Sequence, residues 1–329
     1  MTGLMATRRQ LLAAGAGFAA SAFATSARAA FPDRPIRWMV GFPPGGATDL
    51  LARMIGQPMS VRLGQPVVVD NRPGAGSSVA AEALARSAPD GYTVMGATSG
   101  TLIINPVIYR SLGYEPERDF RPVGLYADVH LLLAVRADSP LRTVAEYLDR
   151  ARASSEPVQY GSSGTGTPLH LAMERLAREA QVRLDHVPYR GMGPALTDLL
   201  AGFVGSIVVD YATAASMVRA GRIRPLGTFS GERLAALPEL PTIAEQGLPG
   251  FAAGAWQGVI VPRATPDPIV ERLSGALSEA LAEPSVRARY AELGLGVLPS
   301  DPASFTRLWQ SDREIWQPLI RSLNITVEG

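Results

Sequence analysis

Gly41-Phe42-Pro43-Pro44-Gly45-Gly46-Ala47-Thr48-Asp49 follows the apolar run Ile36–Val40 and opens a helical pattern that continues to Leu63. An apolar run, a glycine-rich junction and a helical periodicity in that order predict a strand-turn-helix unit. The unit recurs. Gly161-Ser162-Ser163-Gly164-Thr165-Gly166-Thr167-Pro168 follows the run Val158–Tyr160, and Tyr189-Arg190-Gly191-Met192-Gly193-Pro194 follows Leu184–Val187. Further strands are expected at Val67–Val69, Thr93–Ala97, Leu131–Val135, Ile207–Val209 and Val259–Val261, and helices over Ser78–Ser87, Val144–Ala153, Pro168–Ala180, Pro194–Ala201 and Pro268–Ala282. This alternation is the signature of an α/β fold whose mostly parallel sheet is covered on both faces. Pro58 falls inside the first helix, where a kink or an early stop is expected. From Pro302 to Leu323, Phe305, Leu308, Trp309, Ile315, Trp316 and Leu319 recur at near-helical spacing and read as core.

The three junctions share a chemistry. Free backbone N–H groups and the positive end of a helix dipole make an anion site without a charged side chain. Glycine lets a ligand approach the backbone, and the Ser and Thr hydroxyls add directional donors. Pro168 and Pro194 at first-turn positions fit helix starts, and in an open α/β sheet such junctions lie at the strand ends where ligands bind. Taken singly, each junction reads equally as a tight turn with a cap. None is a nucleotide motif, since Gly164-Thr165-Gly166 lacks the third glycine of GxGxxG, and Gly161-Ser162-Ser163-Gly164-Thr165 has Thr where a nucleophile elbow needs glycine.

Composition narrows the chemistry further. The 329 residues, 47% of them hydrophobic, suffice for one large or two medium domains. There is no cysteine and no lysine, so thiol nucleophiles, thiolate metal sites, Schiff bases and the P-loop are excluded. His130, His170 and His186 are the only histidines, and none lies in an HExxH pattern. His170 and Glu174, four residues apart, could form a two-ligand metal pair, but neither a cysteine nor a neighbouring histidine supports it, and no metal or cofactor is expected. His186, on an apolar strand, reads as a satisfied core residue.

The N-terminus carries an address. Thr7-Arg8-Arg9-Gln10-Leu11-Leu12, an apolar stretch from Leu11 to Phe23 and Ala27-Arg28-Ala29 form a twin-arginine type signal peptide over residues 1–29, with an ordinary secretory signal as the alternative. Cleavage near Ala29/Ala30 yields a periplasmic chain. Its loss removes Arg8, Arg9 and Arg28, leaving 28 basic against 30 acidic residues, with no electrostatic footprint for nucleic acid.

Five segments in order, Phe42-Pro43-Pro44-Gly45-Gly46, Val67-Val68-Val69-Asp70-Asn71-Arg72-Pro73-Gly74-Ala75-Gly76, Pro89-Asp90-Gly91-Tyr92-Thr93, Gly161 to Leu171 and Pro188-Tyr189-Arg190-Gly191, continued by Pro194 to Leu200, resemble the tripartite tricarboxylate transporter receptors, also called Bug receptors. The resemblance spans essentially the whole mature chain. It implies a type II periplasmic binding protein fold: two α/β lobes, 30–130 plus 255–329 and 131–254, with a ligand cleft between them and hinges near His130 and Trp256. It implies a small carboxylate (a dicarboxylate, tricarboxylate, aromatic acid or acidic amino acid) held between the first loop (Phe42, Pro43, Gly45, Gly46, Ala47, Thr48) and the second (Ser162, Ser163, Gly164, Thr165, Gly166, Thr167). It further implies that Thr98, Ser99 and the loop Tyr189, Arg190, Gly191, Met192 and Gly193 line the cleft, with Asp210 at its base. Asp210 reads equally as the N-cap of the following helix. His130 stands where the family has a small residue or proline and, like His170, is a candidate ligand contact; Gly205 replaces a usual aspartate. Asn71-Arg72-Pro73 reads as a brace for a turn. The implied partners are integral membrane transporter subunits, and a monomer is expected. A sensor docking on a membrane kinase and an exported hydrolase using Ser163, His170 and Asp210 are the alternatives.

Overall fold

The computed structural model describes residues 31–298, 301–322 and 326–327. The signal peptide, its cleavage point and Leu323 lie outside the described residues.

The strand-turn-helix units build two sheets. In the first, β1 (Ile36–Val40) pairs in parallel with β2 (Val67–Asn71) and β3 (Thr93–Thr98), and β10 (Ala255–Pro262) runs antiparallel between β3 and β4 (Phe120–Val129), giving the order β2-β1-β3-β10-β4. The second has the order β7-β6-β8-β5-β9, with β6 (Val158–Ser162) parallel to β7 (Leu184–Pro188) and β8 (Ser206–Asp210), and β5 (Leu131–Arg136) antiparallel to β8 and β9 (Ile223–Thr228). The helices of the first lobe are α1 (Ala47–Leu63), α2 (Ser78–Ala85), α7 (Asp267–Ala282), α8 (Pro284–Glu292) and α9 (Pro302–Ser322). Those of the second are α3 (Val144–Ala153), α4 (Pro168–Glu179), α5 (Met192–Ala201) and α6 (Tyr211–Arg219). Among the described residues, no helix is long and apolar enough to cross a membrane.

Each sheet is mixed, which corrects the expectation of a mostly parallel sheet. The strand that makes each sheet mixed is the one that runs against its neighbours on both sides, β10 in the first and β5 in the second. Two further strands fall outside the expected set: β4 and β9 contain Pro122 with Gly124 and Pro225 with Gly227, and their sequences do not read as strands. Both are edge strands, where a missing backbone donor faces no partner. The pairing slips by a bulge near each proline, between Val259 and Ile260 opposite Pro122 and between Leu133 and Ala134 opposite Pro225. Pro58 does not end α1, which continues to Leu63 and closes on Gly64 in the left-handed region, φ 71°. In α9, Phe305 and Trp309 are buried as expected, but Ile315 is 65% exposed.

The chain passes from one sheet to the other with His130 alone between β4 and β5, and returns through 229–254 into β10. One buried apolar cluster runs through both lobes. In the first, Trp38 meets Tyr126 edge to face at 5.6 Å; in the second, Leu131 to Val135 are wholly buried along β5.

Candidate functional site

The two lobes meet around a chamber of about 100 Å3 whose walls come from both. From the first lobe come Phe42, Pro43, Pro44, Gly46, Ala47, Thr48 and Thr98; from the second come Ser163, Thr167, Leu169, Gly191, Met192 and Asp210; and from the crossings come Val129, Trp256 and Gln257. On the scale where a water occupies about 10–15 Å3, this is room for roughly seven to ten water-sized volumes, enough for one compact organic acid. An outer compartment of about 550 Å3 adjoins it, sharing Phe42, Pro43, Ser163 and Gly191, and adds Gly164, Thr165, Tyr189 and Arg190.

Beside the hydroxyls of Thr48 and Ser163 and the amide of Gln257, the chamber's donors are backbone groups. Gly46, the N-cap of α1, and Gly191, the N-cap of α5, provide no side-chain cap, so the first-turn amides of both helices stay unpaired where Ala47, Thr48, Met192 and Gly193 line the chamber. One helix belongs to each lobe, and their positive ends converge on one space. The second loop differs from this pattern. Its amides serve the loop itself: Gly164 N donates to Ser162 Oγ at 3.2 Å, Gly166 N to His170 Nδ1 at 3.2 Å and Thr167 N to Gly164 O at 3.3 Å, while Thr167 Oγ1 caps α4 by accepting from His170 N. Ser163 supplies its side of the chamber.

The first loop is held from behind by Asp49, which is 3% exposed. Its carboxylate accepts from Gly45 N at 3.0 Å, Arg53 Nε at 3.0 Å and Asn71 Nδ2 at 2.9 Å. Asn71 also donates to Phe42 O at 3.1 Å, so the Asn71-Arg72-Pro73 segment braces the loop. Burial pushes the Asp49 carboxyl up, but the bonds from Arg53, Gly45 and Asn71 outweigh it and leave the carboxyl below its ordinary value of 3.8. The loop support is therefore fully present above pH 3.8 and lost as the pH falls through the lowered value. Asp49→Asn places an amide N–H among donors. We expect a loss of about 1.5–3 kcal/mol of loop stability, read as a lower melting temperature at pH 7 and at least about a tenfold weaker ligand affinity. Unchanged affinity would show that the loop keeps its shape without the carboxylate.

The remaining expected residues fall in several places. Gly45 lines neither compartment, because its N–H is turned to Asp49. Ser99 lines a small apolar pocket with Ile103 and Trp316, and its hydroxyl has no partner. Tyr189 OH donates to Asp198 at 2.9 Å, and Arg190 is exposed at the outer compartment. Asp210 caps α6, its Oδ1 accepting from Thr213 N at 2.7 Å, and also lines the chamber. His130 shares a hydrogen bond with Ser230 Oγ at 2.9 Å and lines a separate cavity of about 650 Å3 with Asp128, Arg175 and Asp312.

Ser162 and His170 lie beneath the second loop, buried. His170 does have a neighbouring histidine, contrary to the sequence reading: its ring stacks on His186 with centroids 4.0 Å apart and 18° between planes. Their separation along the chain hides this, since the contact forms only when α4 folds over β6 and β7. His186 Nε2 meets Ser162 Oγ at 2.7 Å, and Glu174 lies 3.7 Å from His170 Nε2 while accepting from Tyr160 OH at 2.7 Å. Among the described residues no group of three or more His, Cys, Asp or Glu is arranged to hold a metal ion. Nor do Ser163, His170 and Asp210 form a triad, because Asp210 caps α6 and His170 Nδ1 is occupied by Gly166 N. Met192 and Gly193, expected with the Tyr189 loop, line the chamber, whereas Val129, Leu169 and Gln257 were not legible as site residues, being indistinguishable in sequence from core.

A family model described as the tripartite tricarboxylate transporter family receptor matches residues 51–325. The chain is 42% identical over 318 residues to the UPF0065 protein of the tcbD-tcbE intergenic region of Pseudomonas sp., covering 95% of this chain and 94% of that protein. Among solved structures, it is similar to MatC from Rhodopseudomonas palustris with bound malate, at 34% identity and a TM-score of 0.83, covering 88% of this chain and 100% of that one. It is also similar to a second R. palustris protein with adipate, at 34% identity and a TM-score of 0.86, covering 90% and 99%.

Proposed function

From the premise that this chain belongs to the tripartite tricarboxylate transporter receptor family, we propose that it is exported by its twin-arginine leader and works in the periplasm as a monomer. There it captures one small carboxylate between its lobes and delivers it to the membrane subunits of a tripartite transporter, without altering it chemically. The lobes are 30–130 plus 255–329 and 131–254, and they hinge at His130 and at the entry to β10.

The observation that carries this reading is the convergence of two uncapped helix N-termini, one from each lobe, on a chamber that holds no cationic side chain. A carboxylate bridging them is stabilised by both dipoles and by amides that otherwise lack partners. Because the donors belong to different lobes, the anion bound between them favours the closed form, as differential affinity requires. Relatives seen with malate and with adipate support a carboxylate cargo.

The test is a thermal-shift screen of residues 30–329 against di- and tricarboxylates, short hydroxy and amino acids and aromatic acids. A ligand present at about 100 times its Kd adds about 2.7 kcal/mol to the folded state, so the cargo raises the melting temperature. Absence of any shift, in ligand-free folded protein, would overturn the carboxylate reading.

A further inference from the structure

The outer compartment of about 550 Å3 carries a chemistry that capture of one carboxylate at the starts of α1 and α5 leaves unused. Tyr109 from the first lobe and Ser163, Thr165 and Arg190 from the second bring four donor-bearing side chains to it. None of the four side chains has a hydrogen-bond or ion-pair partner among the described residues. Burial pushes the Tyr109 phenol up, so it keeps its proton as a donor. Tyr189, next to Arg190 in the chain, is by contrast already satisfied by Asp198.

Charge points the same way. No Asp or Glu lines the compartment, so Arg190 is its one charged group and is left without a counter-ion there. Other arginines of the chain have one close by: Arg53 pairs with Asp49, Arg175 with Glu179 and Arg233 with Glu245. A guanidinium offers parallel N–H groups to a carboxylate, and hydroxyls serve the lone pairs that remain. An arginine in open water gains little from such a pair. Between two lobes, with no acid competing for it, the same pair gains more.

The compartment is continuous in its walls with the chamber. Phe42, Pro43, Ser163 and Gly191 line both, and of these only Ser163 carries a polar side chain, so a chain running from one space to the other follows a largely apolar surface. Gly191 keeps a gap between the lobes at this point, since a Cβ there would lie 3.2 Å from Pro43 Cδ.

We propose that the outer compartment is a second anion subsite, in which Arg190, with the hydroxyls of Tyr109, Ser163 and Thr165, holds a further carboxylate of the cargo while the first stays at the starts of α1 and α5. The cargo is then an elongated diacid with an apolar middle, and Arg190 is the residue that distinguishes it from a monoacid. The proposal rests on the receptor reading and deepens it.

The experiment is calorimetric titration of residues 30–329 with monoacid and diacid pairs of equal chain length, namely butyrate and succinate, hexanoate and adipate, and octanoate and suberate, repeated on Arg190→Gln, Arg190→Lys and Tyr109→Phe. In at least one pair the diacid should bind on the order of tenfold or more tighter than its monoacid, and the chain length at which it does so reports the span between the subsites. That preference should collapse in Arg190→Gln and survive in part in Arg190→Lys, which keeps the charge. Tyr109→Phe removes a donor without touching the charge and should reduce the preference by a smaller factor, which keeps the test decisive if an arginine variant fails to fold. Monoacid binding with no diacid preference in any pair, or a preference unchanged in Arg190→Gln, overturns the inference while leaving the receptor reading intact. Binding of none of the six acids overturns the inference, and the broader acid screen then decides whether the receptor reading falls with it.

Discussion

Acidification from pH 7 to pH 5 is expected to destabilise this protein by up to about 4 kcal/mol through two residues, His170 and His186. Burial lowers His170 from 6.5 to about 3, with the neighbouring His186 adding to the effect, and burial lowers His186 to about 4 against the pull of Asp185. Stacked at 4.0 Å, the rings cannot both be charged cheaply, and Nδ1 of His170 must stay unprotonated to accept from Gly166 N. In the unfolded chain both titrate near 6.5, so between that pH and the folded values the unfolded state binds protons that the folded state refuses. Stability therefore falls as the pH drops below about 6.5, by about 1.4 kcal/mol per pH unit for each ring, or about 2 kcal/mol each at pH 5. Asp128, Asp210 and Asp312, which burial pushes up, act in the opposite sense, gaining stability as the pH falls through their raised values. A variant isolates the histidine contribution. His170→Gln keeps an acceptor for Gly166 N but cannot titrate, so it should lose about 2 kcal/mol less than the parent between pH 7 and pH 5 in urea unfolding followed at both values. Parallel pH profiles for parent and variant would show that these rings are protonated in the folded protein.

The histidine pair also marks where the sequence stops being informative. Runs such as Ile36–Val40 and Leu131–Val135 declare themselves as strands because their side chains are buried on both faces of a sheet, and the structure places strands at both. β4 and β9 do not, because edge positions tolerate the proline and glycine that elsewhere end a strand. The junctions were legible as loops that open helices, since glycine and proline punctuate them. Which junction keeps its amides free was not. That depends on whether a side chain turns back to hold them, as Thr167 does for α4 and Asp49 does for Gly45. Gly46 and Gly191 occupy the N-cap position that Thr167 fills in the second loop, and without a hydroxyl they leave the amides that follow them open to a ligand. Part of the chamber's apolar wall was invisible for a simpler reason: Val129 and Leu169 look like core until the cleft is seen.

Gly191→Val should cut ligand affinity by at least about tenfold, the largest effect expected from any single added side chain at the cleft. Gly191 holds φ at 116°, a backbone conformation that costs an L-residue about 1–3 kcal/mol, and a valine relieves that strain only by rotating the loop. Such rotation carries the Met192 and Gly193 amides away from the chamber, removing the second lobe's donors. Independently, the new Cβ would lie 3.2 Å from Cδ of Pro43 on the facing lobe, with its methyl groups directed into the same gap, so full closure is obstructed. Gly166, at φ 74° and with its Cβ position overlapping Ile108 Cδ1, poses the same obstacle at a second point of lobe contact. Gly275, in α7 and lining neither compartment, supplies the control: a Cβ there meets nothing within 4 Å, so Gly275→Ala should bind like the parent. Affinity by calorimetry and ligand-induced compaction by small-angle scattering separate the two effects of Gly191→Val. Weak binding with normal compaction at saturating ligand points to displaced amides, and weak binding without compaction points to blocked closure. Parent-like affinity in Gly191→Val would mean that the anion is not held at the start of α5, and the two-helix account of this cleft would have to be abandoned.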